Sequence, residues 1–369
     1  IVDGWHVLHG DHEDLMEKLG RIVADGLAAR VHLVLTATRW SVVRPAIRDL
    51  IPQRIETKLG EPMDSLIDRK AQLKVPALPG RGLTSSGETM LIALSAQQDV
   101  AFIARSLVAD QPPVPRLKLL PISLMLADLP QLDPEQNSVL LGVGGPKLGA
   151  VNWDYLASQH MVCIGAQESG KSTLISTIIA GLTQIGRERA RLVVIDHRRS
   201  HLGAIDPDML AGYSASTQET EKLVAAMKIT LEERLPSAEV TPQQLKDRSW
   251  WTGPDIFLIV DNLDLVADMA FAPLLSVLPH ARDVGLHVVI TRKSGGCVRA
   301  LFQPFLAEIK DQSPFILVLD ADKDDGPLFG ARLKPQPPGR GVMIHHGTQQ
   351  GLIQIAAVDM PETAEVKAS

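Results

Sequence analysis

At 369 residues the chain is long for one ordinary domain, and two is the natural expectation. Hydrophobic residues make up 45% and charged residues 22%, an ordinary globular composition whose core must be mostly aliphatic because aromatics reach only 4%. The formal net charge of −6 carries no basic footprint of a dedicated nucleic-acid binder, though a local basic patch is not visible in a total. No apolar run reaches bilayer length: the best, residues 119–129, is short and broken by Pro121 and Asp128. Cys163 and Cys297 lie in no paired motif, which argues against a disulfide framework or a zinc site and for buried thiols.

In chain order, Ile1-Val2-Asp3-Gly4 reads as a strand tipped by an aspartate. His6, His9 and His12 recur every three residues in mixed loop sequence, too loose a pattern for a metal site. His32-Leu33-Val34-Leu35-Thr36 reads as the next strand, and Arg39, Arg44 and Arg48 follow it. Pro79-Gly80-Arg81-Gly82 marks a turn ahead of an apolar stretch at 90–94. Gln111-Pro112-Pro113-Val114-Pro115 reads as a stiff extended linker. Residues 1–107 are thus expected to form one region, 108–135 a linker, and 136–369 a second region. Residues 139–143 and 150–153, around Gly144-Gly145, read as a hairpin.

Residues 161–164 form a short apolar strand that runs into Gly165-Ala166-Gln167-Glu168-Ser169-Gly170-Lys171-Ser172 and then an amphipathic run at 173–182. This is a full match to GxxxxGK[ST] in the strand–loop–helix context that confirms it. Gly165 and Gly170 permit the backbone to turn successive N–H groups inward, and those amides with the helix N-terminus concentrate positive potential on phosphates. The motif implies ATP with Mg²⁺ held by residues 165–173, Gly165 to Thr173. Lys171 is expected on the β/γ-phosphates and Ser172 on the metal.

Asp196 ends an apolar strand at 192–195 and is expected to open the next helix rather than to line the nucleotide pocket. Asp255-Ile256-Phe257-Leu258-Ile259-Val260-Asp261 is a second buried strand, and Asp261 fits the Walker B carboxylate that holds Mg²⁺. Many such ATPases place a glutamate next. Asn262 stands there instead and can orient a water without taking its proton; Asp264 is a nearby substitute. Binding is therefore expected, and hydrolysis is left open. Thr291-Arg292 closes the following strand, where P-loop motors keep a polar sensor of the γ-phosphate; Arg292 is either a sensor or finger or a solvent-exposed arginine. His345-His346 reads as a surface turn before Gly347.

The chain repeats itself. The Asp-tipped strands, the His-initial strands ending in Thr36 and Thr291, and the turns Pro79-Gly80-Arg81-Gly82 and Pro338-Gly339-Arg340-Gly341 recur in order, 258, 255 and 259 residues apart. Short repeats would mean a solenoid; this spacing means a duplicated domain. The first copy starts at its Asp-tipped strand, so residues 1–107 are expected to be the C-terminal half of a domain whose phosphate loop lies upstream. An arginine of that copy is a candidate finger for a neighbouring nucleotide.

Several segments resemble a known family. Arg248-Ser249-Trp250-Trp251-Thr252-Gly253-Pro254-Asp255, Asp264-Leu265-Val266, Gly326-Pro327-Leu328-Phe329-Gly330 and Pro337-Pro338-Gly339-Arg340-Gly341 look like the last ATPase domain of EccC. EccC is the FtsK/SpoIIIE-type motor of type VII (ESX) secretion. Thr36-Ala37-Thr38-Arg39-Trp40, Arg44-Pro45-Ala46-Ile47-Arg48-Asp49 and Pro79-Gly80-Arg81-Gly82-Leu83 resemble the end of its penultimate ATPase domain. The resemblance implies an α/β fold of tandem RecA-like P-loop NTPase domains, each with a mostly parallel central sheet and flanking helices. It implies a cytoplasmic place at the inner face of the plasma membrane, within a secretion complex whose membrane anchor lies upstream. The implied partners are small helical-hairpin substrates with a C-terminal signal, other secretion-complex subunits and further copies of the chain; no nucleic acid is expected, on the acidic balance of the sequence. It also implies that later ATPase domains carry degenerate catalytic residues, as Asn262 suggests.

Two other readings share the same core. A DNA translocase of the FtsK type needs a basic channel or a DNA-reading appendage. A nucleotide-locked scaffold differs only in whether Asn262 and Asp264 support chemistry.

Overall fold

The computed structural model describes residues 1–11, 13–108, 118–133, 135–320, 326–331 and 335–359. His12, the side chain of His9 and the proline cluster at 111–115 lie outside the described residues. The chain divides into two compact units, Ile1–Pro115 and Arg116–Ser369.

The first unit packs helices Trp5–Asp11 and Glu13–Asp25 over a small core of Trp5, Met16, Val43 and Ile47. The expected strand ending at Thr36 shrinks to a single parallel bridge between Val2 and Leu35. Three short strands, β1 (Glu56–Thr57), β2 (Arg81–Leu83) and β3 (Thr89–Leu91), form an antiparallel sheet in that order. Glu56, in β1, is buried. Its carboxylate accepts from Trp40 Nε1 at 2.6 Å, Ser65 Oγ at 2.7 Å, the Leu66 amide at 2.8 Å and Gln72 Nε2 at 3.1 Å. Burial alone pushes its pKa up, but the hydrogen bonds from Ser65, Gln72, Leu66 and Trp40 outweigh burial and hold it below the ordinary 4.5.

The second unit is built on a ten-stranded sheet among the described residues. Its strands are β4 (Ser138–Gly144), β5 (Gly149–Asp154), β6 (His160–Gly165), β7 (Ala190–Asp196), β8 (Leu210–Ser214), β9 (Asp255–Asp261), β10 (Leu286–Lys293), β11 (Phe315–Val318), β12 (Arg340–His345) and β13 (Thr348–Ile355). The order is β5-β4-β13-β12-β11-β6-β10-β9-β7-β8. From β11 to β8 the neighbours are parallel; from β11 to β5 they are antiparallel, so the expected hairpin β4–β5 sits at the sheet's antiparallel edge.

The parallel strands are apolar on both faces, as a sheet covered on two sides requires. Side chains alternate along β6: Met161 and Cys163 face the core shared with Leu174, Ile178 and Phe257, while Val162 and Ile164 face the one shared with Phe271, Phe305 and Leu258. Both cysteines are buried, and burial pushes the Cys163 thiol up to about 12. Helix Lys171–Ile185 buries Leu174, Ile175, Ile178 and Leu182 on one face. Each is worth about 1.5–3 kcal/mol of transfer free energy, which fixes the helix to the sheet far more firmly than its intrinsic propensity does. It ends at Gly186, whose φ of +93° breaks the helical path.

The Ser-Trp-Trp segment serves the opposite end of the strands. Trp250 Nε1 donates to Arg234 O at 2.7 Å and Trp251 Nε1 to Asp283 O at 2.8 Å, with the Arg234 guanidinium 4.2 Å over the Trp251 ring. That leaves the carboxyl ends of β6, β7, β9 and β10 as the edge where polar side chains gather.

Candidate functional site

Strand β6 delivers Gly165 into the loop, and helix Lys171–Ile185 leaves it. Two neighbours clasp the loop by its backbone: the Ala166 amide donates to Asp320 O at 2.8 Å, and the Gly339 amide donates to Ser169 O at 2.8 Å. Gly170 takes φ +100°, and a Cβ there would lie 2.8 Å from Gly339 N, so glycine is required both for its backbone angle and for the approach of the turn. Lys171 Nζ is folded back, donating to Gly165 O at 3.0 Å and Ala166 O at 2.5 Å. Burial pushes its pKa down, with the charges of Asp261 and Asp264 among those opposing. Ser169 Oγ is buried with no hydrogen-bond partner among the described residues.

A buried ammonium resting on carbonyl oxygens and an orphaned hydroxyl, both at a helix N-terminus, are donors that a phosphate completes. The residues present therefore fit the phosphates of a nucleotide.

The carboxylate end of the site centres on Asp261, which is almost wholly buried. Its Oδ1 accepts from Thr291 Oγ1 at 2.5 Å and its Oδ2 from Ser172 Oγ at 3.0 Å, so the two residues expected to hold Mg²⁺ are in contact. His201 Nε2 lies 3.2 Å from the same Oδ2; because a carboxylate only accepts, that nitrogen carries the proton. Burial alone pushes the Asp261 pKa up, but the hydrogen bonds from His201, Thr291 and Ser172 prevail and lower it, keeping the group ionised. An ionised carboxylate touching the loop serine fits a magnesium seat.

The neighbouring residues Asn262, Asp264 and Arg292 are each held by a different group. Asn262 sits at φ +60°, ψ +64°, and its amide donates to Thr291 Oγ1 at 2.8 Å. Asn is among the few residues that visit this left-handed region routinely. Asp264 turns to Lys293, accepting from its amide at 3.1 Å and lying 3.6 Å from its Nζ. Arg292 is 9% exposed, which removes the reading of a solvent-exposed arginine; its Nη1 donates to Lys293 O at 2.8 Å and Gly295 O at 3.2 Å.

Asp196 opens no helix. It lies beside Asp261 in the β7–β9 register and accepts from the His201 amide at 2.8 Å, the Arg198 amide at 3.2 Å and Tyr213 OH at 2.9 Å. Its carboxylate thereby folds the turn after β7, and that turn carries His201 to Asp261. His201 is the site residue that no motif marked. His345 is half-buried rather than a surface residue, its Nε2 2.6 Å from Ser158 Oγ.

The duplication is visible atom by atom. In the first unit Thr36 Oγ1 donates to Asp3 Oδ1 at 2.5 Å and accepts from the Gly4 amide at 2.9 Å, the pattern made by Thr291, Asp261 and Asn262. Gly4 has φ +75°, the same left-handed backbone as Asn262.

Comparison with known proteins agrees with this geometry. No family model matches the chain. Among curated proteins, the chain is 37% identical over 374 residues to the ESX secretion system protein EccC of Thermomonospora curvata, covering 96% of this chain. It is 36% identical over 364 residues to the ESX-4 secretion system protein EccC4 of Mycobacterium tuberculosis, again over 96% of this chain. The chain spans 28% and 29% of the length of those two relatives. Among solved structures, ATPases 2 and 3 of Thermomonospora curvata EccC, in complex with a signal sequence peptide, match with TM-score 0.73 and 36% identity over 96% of this chain and 67% of that one. ATPases 2 and 3 of EssC from Geobacillus thermodenitrificans share the fold at TM-score 0.64 and 17% identity. With the RecA-like α/β fold, the duplicated Asp–Thr pair and these similarities together, the chain belongs to the EccC family of ESX secretion system proteins.

Proposed function

We propose that this chain is the nucleotide-binding part of a type VII protein-secretion ATPase, working on the cytoplasmic side of a membrane complex, that docks secretion substrates and couples their docking to bound nucleotide. The observation that carries the reading is the phosphate loop, with its buried Lys171, its orphaned Ser169 hydroxyl and the Ser172–Asp261 contact. In this reading the amides of residues 166–172 and Lys171 hold the phosphates, while Ser172 and Asp261 hold Mg²⁺. The metal, when bound, neutralises charge on the β- and γ-phosphates. Thr291 and His201 keep the Asp261 carboxylate turned towards Ser172.

The relative solved with a signal sequence peptide supports the substrate-docking part of this reading. Arg292 at the end of β10 borders an open groove in which Val298 and Phe302 stand exposed beside Arg299. We assign peptide docking to that mixed surface, where the exposed Val298 and Phe302 offer apolar contacts between Arg299 and Gln303.

The second reading, tight binding with negligible turnover, is favoured by the carboxylates. Asn262 replaces the expected glutamate, Asp264 is held by Lys293, and Asp196 is held by its own turn. Single-turnover hydrolysis with Mg²⁺, using Lys171→Ala as control, separates the two. Turnover abolished by the substitution establishes a motor; retained ATP without turnover establishes a nucleotide-locked docking module. Failure to bind ATP sinks both.

A further inference from the structure

The turn Pro338-Gly339-Arg340-Gly341 seats on the phosphate loop backbone to backbone, through the Gly339–Ser169 bond and the Gly170 contact. Behind it runs a chain of polar contacts. Gln354, 3% exposed, donates from Nε2 to Pro338 O at 3.1 Å and accepts at Oε1 from Arg340 Nε at 3.2 Å. Arg340 Nη2 then donates to Leu120 O at 3.1 Å and Pro121 O at 2.6 Å. The segment it grips continues to Met125 and Leu126, which join Ala357 just beyond β13.

The first unit shows which of these bonds the turn itself requires. Its own turn has the same backbone, Gly80 at φ +74° against Gly339 at +75°, and the same closing bond, Ile92 N to Gly80 O at 2.9 Å against Ile355 N to Gly339 O at 2.7 Å. The residue preceding the closing amide is Leu91 there and Gln354 here. The turn therefore forms without a glutamine at that position, and the contact of the buried Gln354 with the half-buried Arg340 in the second unit is an addition to it.

We propose that Arg340 and Gln354 are positioning residues of the phosphate loop, tying nucleotide affinity to the backbone of Leu120 and Pro121 at the start of the second unit. The proposal rests on the reading of that loop as a nucleotide site. Phosphate binding that stiffens Ser169 and Gly170 stiffens the Gly339 turn, and the two side chains carry that order into residues 120–126. The linkage is reciprocal: whatever displaces this segment loosens the seat of the loop and weakens ATP.

Hydrogen exchange with and without ATP and magnesium tests it. In the wild-type chain ATP slows exchange both in residues 166–172 and in residues 119–129. In Arg340→Met, which keeps the aliphatic stem and removes all three hydrogen bonds, residues 166–172 still respond, residues 119–129 no longer do, and ATP affinity falls about tenfold. A merely structural arginine would lower the nucleotide-free melting temperature and leave the ATP response of residues 119–129 intact; that result overturns the proposal, as does a wild-type segment indifferent to ATP. No response in residues 166–172 of the wild type would instead sink the nucleotide reading beneath it. If Arg340→Met does not fold, Gln354→Leu, the side chain the first unit carries, cuts the same chain one link earlier.

Discussion

Restoring the glutamate that the sequence lacks, by Asn262→Glu, probes why asparagine stands there. The backbone at 262 is left-handed, and its amide is committed to Thr291 Oγ1. An ordinary L-residue in that region costs about 1–2 kcal/mol, a penalty that asparagine largely escapes. The side chain is also almost buried, so a longer carboxylate must displace its surroundings. We expect Asn262→Glu to lose about 1 kcal/mol, lowering by about 2–4 °C the melting transition that ATP shifts. Single-turnover hydrolysis is expected to stay at the wild-type level, because the left-handed residue aims its side chain differently from an extended one. Asn262→Gly, which copies Gly4 of the first unit, should change stability by about 0.5 kcal/mol or less, since glycine tolerates the angle. Calorimetry with and without Mg·ATP, beside rapid-quench hydrolysis, reads both quantities. A glutamate variant that melts like wild type and hydrolyses ATP about tenfold faster would show that the position is chemically open and that the backbone argument is wrong.

Thr291→Val removes the hydroxyl that joins Asp261 to the Asn262 amide, and should destabilise its unit by about 1–3 kcal/mol; Thr36→Val, at a more exposed copy of the contact, should cost less, and equal losses by denaturant titration would contradict the burial argument. Gly285 has φ +67° and an added Cβ would sit 2.3 Å from Asp255 Oδ1 and 2.7 Å from the Trp251 ring, so Gly285→Ala should lower stability by about 1–3 kcal/mol with nucleotide binding retained. The lowered pKa of Glu56 has a defined sign: its stabilising contribution is fully present above the unfolded value near 4.5 and is lost as pH falls through the lower folded value. Urea unfolding of the first unit from pH 7 downwards should show that loss, and Glu56→Gln should flatten it.

What the sequence disclosed depended on contiguity. The phosphate loop declares itself because its strand, loop and helix lie in one run of residues, and Asp261 because it ends an unbroken apolar strand. The duplication could be read because three short signatures keep their order. His201 could not be found this way: it reaches Asp261 through a turn folded by Asp196 and Tyr213, and those contacts exist only in space. The same carboxylate explains why the expected helix after Asp196 gives way to a turn, since a buried aspartate satisfies free amides of its own loop more readily than a distant helix start. The seat of Gly339 on Ser169 joins residues 170 positions apart, and a turn motif read alone gives no hint of what it rests on. The apolar run ending at Thr36 forms only a single bridge, because such a run records burial propensity rather than a pairing partner.

The burial of Cys163 and Cys297 has a practical side. They are the two cysteines in the chain, and both are shielded within the second unit, so a thiol-directed dye meets no native target on the folded surface. A cysteine introduced at Leu119, which is 84% exposed, would then be the one reactive position. A fluorophore placed there lies one residue from the carbonyl that Arg340 holds, giving a background-free optical report on how tightly the nucleotide loop grips the start of its own domain.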